Sequence, residues 1–161
     1  MSKRVIETVA GVLENYAQRG IFRGFSQGPV SGGKTVFKMT WHRDRQFELI
    51  LDVPKKTMRF PLVLPNVPAG SDMYRDFKAF VASRFSEDLP DHRRIDIRKV
   101  AIKPASRSGS VSLSLVVIDG DFEYAARKLI HLIHEIFLVF LYDGKYYDYL
   151  VETFDLDPDR M

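Results

Sequence analysis

The chain has 161 residues, 45% hydrophobic and 28% charged, with a formal net charge of +3. That length holds one domain with a real core, and that balance excludes a disordered polyelectrolyte. The absence of cysteine excludes disulfides, thiolate chemistry and cysteine-ligated zinc, and suits a reducing cytoplasm.

Met1-Ser2-Lys3-Arg4 leads into an amphipathic pattern rather than the apolar core of a signal peptide. The strongest apolar run, 129–141, is interrupted by His131, His134 and Glu135, and is too short and polar to span a bilayer. A soluble cytoplasmic protein with no membrane partner is expected. Charge is uneven: from Asp143 onward the chain carries −4, which leaves +7 on the rest. The acidic end either folds onto the basic body or leaves a basic surface for an acidic partner.

In chain order, Val5, Ile6, Val9, Val12, Leu13 and Tyr16 recur at spacings of three and four, which predicts a helix capped by Ser2 and stopped at Gly20. A short strand follows over 21–26. Gly28 to Thr35 matches the bare phosphate-loop pattern, but the sequence after it alternates like a strand. With no helix N-terminus to hold phosphates, a hairpin loop is expected there. Runs 35–42, 46–53 and 58–64 alternate apolar and polar residues, as in an antiparallel meander with one buried face. Pro61 cannot donate to a ladder, which places the last of these at an edge.

Ser71 then caps a helix striped by Met73, Phe77, Phe80, Val81 and Phe85. Strands are expected over 95–102 and 111–118, around a turn at 106–110. Asp119-Gly120-Asp121 opens the longest helix, 122–141, and a shorter helical segment carries Leu150, Val151 and Phe154. The order α-β-β-β(-β)-α-β-β-α-α describes a single α+β domain over 1–161. It has an antiparallel sheet, helices on one face, and 143–161 as an acidic helical extension.

This layout, from Val5 to about Leu141, resembles that of type III secretion chaperones and the related YbjN-like proteins. The resemblance implies a non-enzymatic module that dimerises and holds a partner segment against an apolar surface.

Among residues with possible chemistry, Arg127, His131, His134 and Glu135 share one side of the long helix. Two histidines three apart beside a carboxylate can supply metal ligands, although the plain expectation is a polar helix face. His42 and His92 fall in turns or loops, with nothing to bring them there. Trp41 beside His42, Arg43, Asp44 and Arg45 could stack on a ring and bind an anion, or be a solvated hairpin tip. The stretch 91–107 carries Arg93, Arg94, Arg98, Lys99, Lys103 and Arg107, an electrostatic footprint for nucleic acid that lacks interleaved aromatics. Asp119 and Asp121 read as caps, and Asp155, Asp157 and Asp159 lack the glycine and glutamate of a calcium loop. No Gly-x-Ser-x-Gly elbow frames a serine.

With no cofactor expected, the sequence reads as a protein-binding module, with a second copy of itself among the partners considered, contacting its partner through Tyr146, Tyr147 and Tyr149 and along the long helix. Nucleic-acid binding through 91–107 and a metal enzyme at His131, His134 and Glu135 stand as alternatives.

Overall fold

The computed structural model describes residues 2–154, with the Arg43 side chain left out of the description. Asp155, Asp157 and Asp159, and with them the end of the acidic extension, lie outside the described residues.

The elements follow the order that the periodicity predicts. They are α1 (Ser2–Gln18), β1 (Arg23–Gln27), β2 (Lys34–Trp41), β3 (Arg45–Asp52), β4 (Thr57–Leu64), α2 (Asp72–Ser83), β5 (Val100–Arg107), β6 (Ser110–Val117), α3 (Phe122–Glu135) and α4 (Tyr147–Phe154). The six strands form one antiparallel sheet in the order β1-β2-β3-β4-β6-β5. Phe37, Met39, Trp41, Phe47, Leu49, Leu51, Met58, Phe60, Leu113 and Leu115 are buried on the face that meets the helices. Lys38, Glu48 and Arg59 are exposed on the other face, so alternation along the strands separates core from solvent. In the helical layer α1 packs on α3 and β1, α3 lies over β6, and α2 lies over β5.

Local chemistry sets the boundaries. Helix α1 ends at a left-handed Gly20 (φ 78°), with Gly20 N–H donating to Ala17 O and Ile21 N–H to Tyr16 O. That is the paired bonding of a glycine-terminated helix, and it turns the chain directly into β1. The Ser71 hydroxyl accepts from Tyr74 N–H at 3.1 Å, and the Asp121 carboxylate from Tyr124 N–H at 3.0 Å, which caps α2 and α3. The glycine-rich stretch from Gly28 is a hairpin loop closed by a Ser31–Lys34 bridge and followed by a strand.

Three expectations are corrected. Strand β4 lies inside the sheet, between β3 and β6, not at its edge. Pro61 is tolerated there because the ladder slips between Phe60 and Leu64, where three residues of β4 face one of β6, so no regular bond needs its missing N–H. The strand expected from Ile95 begins at Val100. Before it, the Asp96 carboxylate accepts from Arg98 N–H at 2.9 Å while Asp96 N–H donates to the Tyr124 hydroxyl at 2.8 Å, so an Asp-centred turn replaces extended pairing. Finally, the long helix is α-helical only to Glu135. From Ile136 to Tyr142 it winds as a π-helix, and Asp143 N–H donates to Leu138 O five residues back.

Candidate functional site

The helical layer does not cover the whole sheet. At the β1–β2 end, the last turn of α1, the start of β1, the turn after β2 and the π-helical segment enclose a cleft of about 1170 Å³. A continuous series of rings lines it. Phe22 meets Trp41 edge-on at 5.5 Å, His42 lies flat between Trp41 (4.6 Å) and Phe137 (4.2 Å, 8° between planes), and Phe137 meets Phe154 at 5.6 Å. His134 reaches the same group, 5.8 Å from His42. Trp41 and Phe137 are buried, whereas Ile21, Leu138 and Tyr142 stand exposed around the opening. The charged residues on the lining are Glu14, Arg23 and Asp44, of which Arg23 and Asp44 pair with each other at 2.5 Å.

The residues singled out in the sequence take different places. Trp41 belongs to the cleft wall. Arg43 lies in a 3₁₀ turn, His42–Asp44. The Arg45 guanidinium sits over the rings of Phe154 (4.7 Å) and Phe47 (5.6 Å), and loss of solvation lowers its pKa from the ordinary arginine value. That stacking helps hold α4 to the sheet.

The tyrosines of the C-terminal segment are largely engaged within the chain. The Tyr146 hydroxyl donates to Asp76, which also pairs with Lys145 at 2.7 Å, and the Tyr149 hydroxyl donates to Pro65 O. These hydrogen bonds from Lys145 and Tyr146 hold the Asp76 carboxyl below the usual carboxylate range. Tyr147 packs edge-on to Tyr142 at 5.6 Å.

The histidine group of the long helix is divided among three neighbours. His131 faces Tyr16 at 6.1 Å, His134 turns into the cleft, and Glu135 pairs with Arg84 at 2.8 Å. Among the described residues, no three His, Cys, Asp or Glu side chains come together as a metal site. Beside His131 and Glu135 is a second space of about 10 Å³, bordered by His92, Arg93 and Lys128 and large enough for about one water. Desolvation, with Lys128 second, keeps the His131 pKa below the ordinary histidine value.

Three of the six cations in the basic stretch 91–107 are paired at short range, and Arg107 is exposed. Arg94 bridges to Asp91, Arg98 to Asp96 at 3.1 Å, and Lys99 to both Asp119 (2.7 Å) and Asp121 (3.1 Å). Arg93 and Lys103 are exposed.

Sequence reasoning identified Trp41 but not the cleft around it. Phe22, His42, His134 with Phe137, and Phe154 come from four separate segments. The apolar residues that widen the long helix's stripe in the sequence, Ile130, Val139 and Leu141, do not line the cleft, so they gave no sign of it. No described helix is long and apolar enough to cross a membrane. In comparison with known proteins, no family model, no curated protein and no solved structure matches the chain.

Proposed function

We propose that this protein is a non-enzymatic binding module that holds an apolar segment of a protein partner in the ring-lined cleft. One observation carries the proposal. Of the eight large apolar residues exposed among the described residues, three, Ile21 (37%), Leu138 (44%) and Tyr142 (37%), surround this one concave site. Scattered exposed apolar residues need no explanation, but a concentration of them at the mouth of a cleft gains free energy when covered. The layout resemblance to secretion chaperones points in the same direction, and a cytoplasmic location suits a chain without cysteine.

The alternatives have less behind them. Nucleic-acid binding through 91–107 finds three of its six cations, Arg94, Arg98 and Lys99, already against carboxylates, which leaves Arg93, Lys103 and Arg107 to carry it. A metal enzyme at His131, His134 and Glu135 must recruit a carboxylate that is engaged with Arg84.

The test is affinity capture from host cells of the tagged protein and its Leu138→Asp variant, each with and without nuclease. The expected result is a partner protein that survives nuclease and is lost from the variant. Sedimentation of both proteins identifies a second copy of the chain as the partner if the wild type is a dimer and the variant a monomer. Identical captured sets, or enrichment that disappears with nuclease, would refute the proposal.

A further inference from the structure

We infer that the outer face of β4, β6 and β5, on the side of the sheet away from the cleft, binds the phosphate backbone of double-stranded RNA. The two halves of that face treat charge differently. On β2 and β3 each outward cation has a carboxylate directly across the ladder, Lys34 opposite Asp52 and Lys38 opposite Glu48. Such cross-strand pairs are what a solvated sheet face gains from its charges. Strands β4, β5 and β6 contain no Asp or Glu. There Arg59 and Lys103 stand opposite Ser114 from its two sides, and Arg107 stands opposite Ser110. All three cations are exposed and without an ion pair among the described residues. Lys103 and Arg107 also guard an edge strand, but β4 lies inside the sheet, so edge protection does not account for Arg59.

The arrangement selects the anion. Three exposed cations gain little from isolated carboxylates, whereas a nucleic acid releases a condensed counterion for each phosphate neutralised. By strand geometry Arg59 and Lys103 start about 10 Å apart and Lys103 and Arg107 about 13 Å apart, spread over an area rather than along a line. Small residues lie between them, Ala101, Ala105, Ser110 and Ser114, and β5 and β6 contain no aromatic on which the bases of a single strand could stack.

A flat face three strands wide does not enter the grooves of B-DNA, whose major groove admits a helix or a two-stranded ribbon. The minor groove of A-form RNA is wide and shallow and displays 2′-hydroxyls, which the hydroxyls of Thr57, Ser110 and Ser114 can meet while the cations take the phosphates.

In the experiment a labelled RNA duplex of about 16 base pairs is titrated with the full chain by fluorescence anisotropy, between about 20 and about 200 mM salt. Binding should weaken as salt rises, with a slope of log K against log salt of about −3, or about one per cation. Arg59→Gln, Lys103→Gln and Arg107→Gln should each reduce the slope by about 1, whereas Arg98→Gln, which removes a cation already paired with Asp96, should leave it unchanged. Ser114→Glu sets a carboxylate between Arg59 and Lys103, copying the pairing of β2 and β3, and should abolish binding without lowering thermal stability. Leu138→Asp should bind the duplex as the wild type does, so the outcome is independent of the cleft reading.

Absence of binding at about 20 mM salt, or a slope that the three glutamine substitutions leave unchanged, would overturn the inference. Equal affinity for a DNA duplex of the same sequence would reduce the face to an unselective anion patch, and equal affinity for polyglutamate would make the partner an acidic protein; either result overturns it too. Loss of duplex binding in Leu138→Asp would place the RNA in the cleft and refute the assignment to this face.

Discussion

Tyr149→Phe tests how α4 is fastened over the end of the sheet. The Tyr149 hydroxyl donates to the Pro65 carbonyl, and desolvation by burial pushes its pKa from 10 up to about 12. Removing the hydroxyl deletes its bonds with the Pro65 carbonyl and the Thr153 side chain and should cost about 1–2 kcal/mol near pH 8. The sign of the pH effect follows from which state holds the proton more tightly. The folded chain does, so this stability is fully present below about pH 10 and is lost as the pH rises toward about 12. The loss reaches about 1.4 kcal/mol at about pH 11 and approaches about 2.7 kcal/mol above about pH 12. The phenylalanine variant has no such proton, so the wild type is the more stable near neutrality and the two curves cross near pH 11. Urea unfolding of both proteins, followed by Trp41 emission at about pH 8, 10 and 11, reads the difference. The remaining tyrosines and the lysines titrate alike in both chains and cancel. A stability gap that does not change with pH would show the hydroxyl to be solvated and refute this account of α4.

Three further substitutions probe the frame around the cleft. Arg84→Met leaves Glu135 without its 2.8 Å partner in a pair only 14% and 19% exposed, and should cost about 2–3 kcal/mol in urea unfolding. Adding Glu135→Leu should recover most of that loss, because no charge is then left buried, and a double-mutant cycle measures the coupling. Ser71→Ala removes the acceptor for Tyr74 N–H and should lower stability by about 1 kcal/mol, with Ser71→Thr retaining most of it. In Gly144→Ala the new Cβ would lie 2.3 Å from the Phe140 carbonyl oxygen, so the turn out of the π-helical segment must shift, at about 1–3 kcal/mol read from thermal unfolding.

The fold was legible because it rests on short-range patterns. Alternation over 35–42, 46–53 and 58–64 placed three strands within a residue of β2, β3 and β4, since residues two apart share a face whatever the strand pairs with. Gly20 and Ser71 act within their own turns and were equally readable. What failed depends on distant partners. Pro61 argues for an edge only if its strand keeps regular pairing, and β6 does not pair regularly with it. Ile95 to Lys99 alternates like a strand, yet the Tyr124 hydroxyl, from another element, helps fix it as a turn. In the cleft, His42 and His134 are far apart in sequence and stand 5.8 Å apart in space, an arrangement that no local spacing encodes.

The π-helical segment links the readable part of the chain to the unreadable part. Ile136 to Tyr142 is the run IFLVFLY, without a charged residue, so however it winds, some large apolar side chain must face outward. The winding decides which ones. As observed, Ile136, Phe137, Phe140 and Leu141 turn inward, and Leu138, Val139 and Tyr142 remain outside. Gly144 makes this ending possible, because its missing Cβ lets the chain pass against the Phe140 carbonyl, while Asp143 N–H takes up the Leu138 carbonyl. Leu138 is 44% exposed and Tyr142 37%, although the Tyr142 ring also packs edge-on to Tyr147 at 5.6 Å. Folding therefore accounts for only part of the apolar surface at those two positions. Both line the same cleft as Ile21 and the ring series, and a bound apolar segment would account for them.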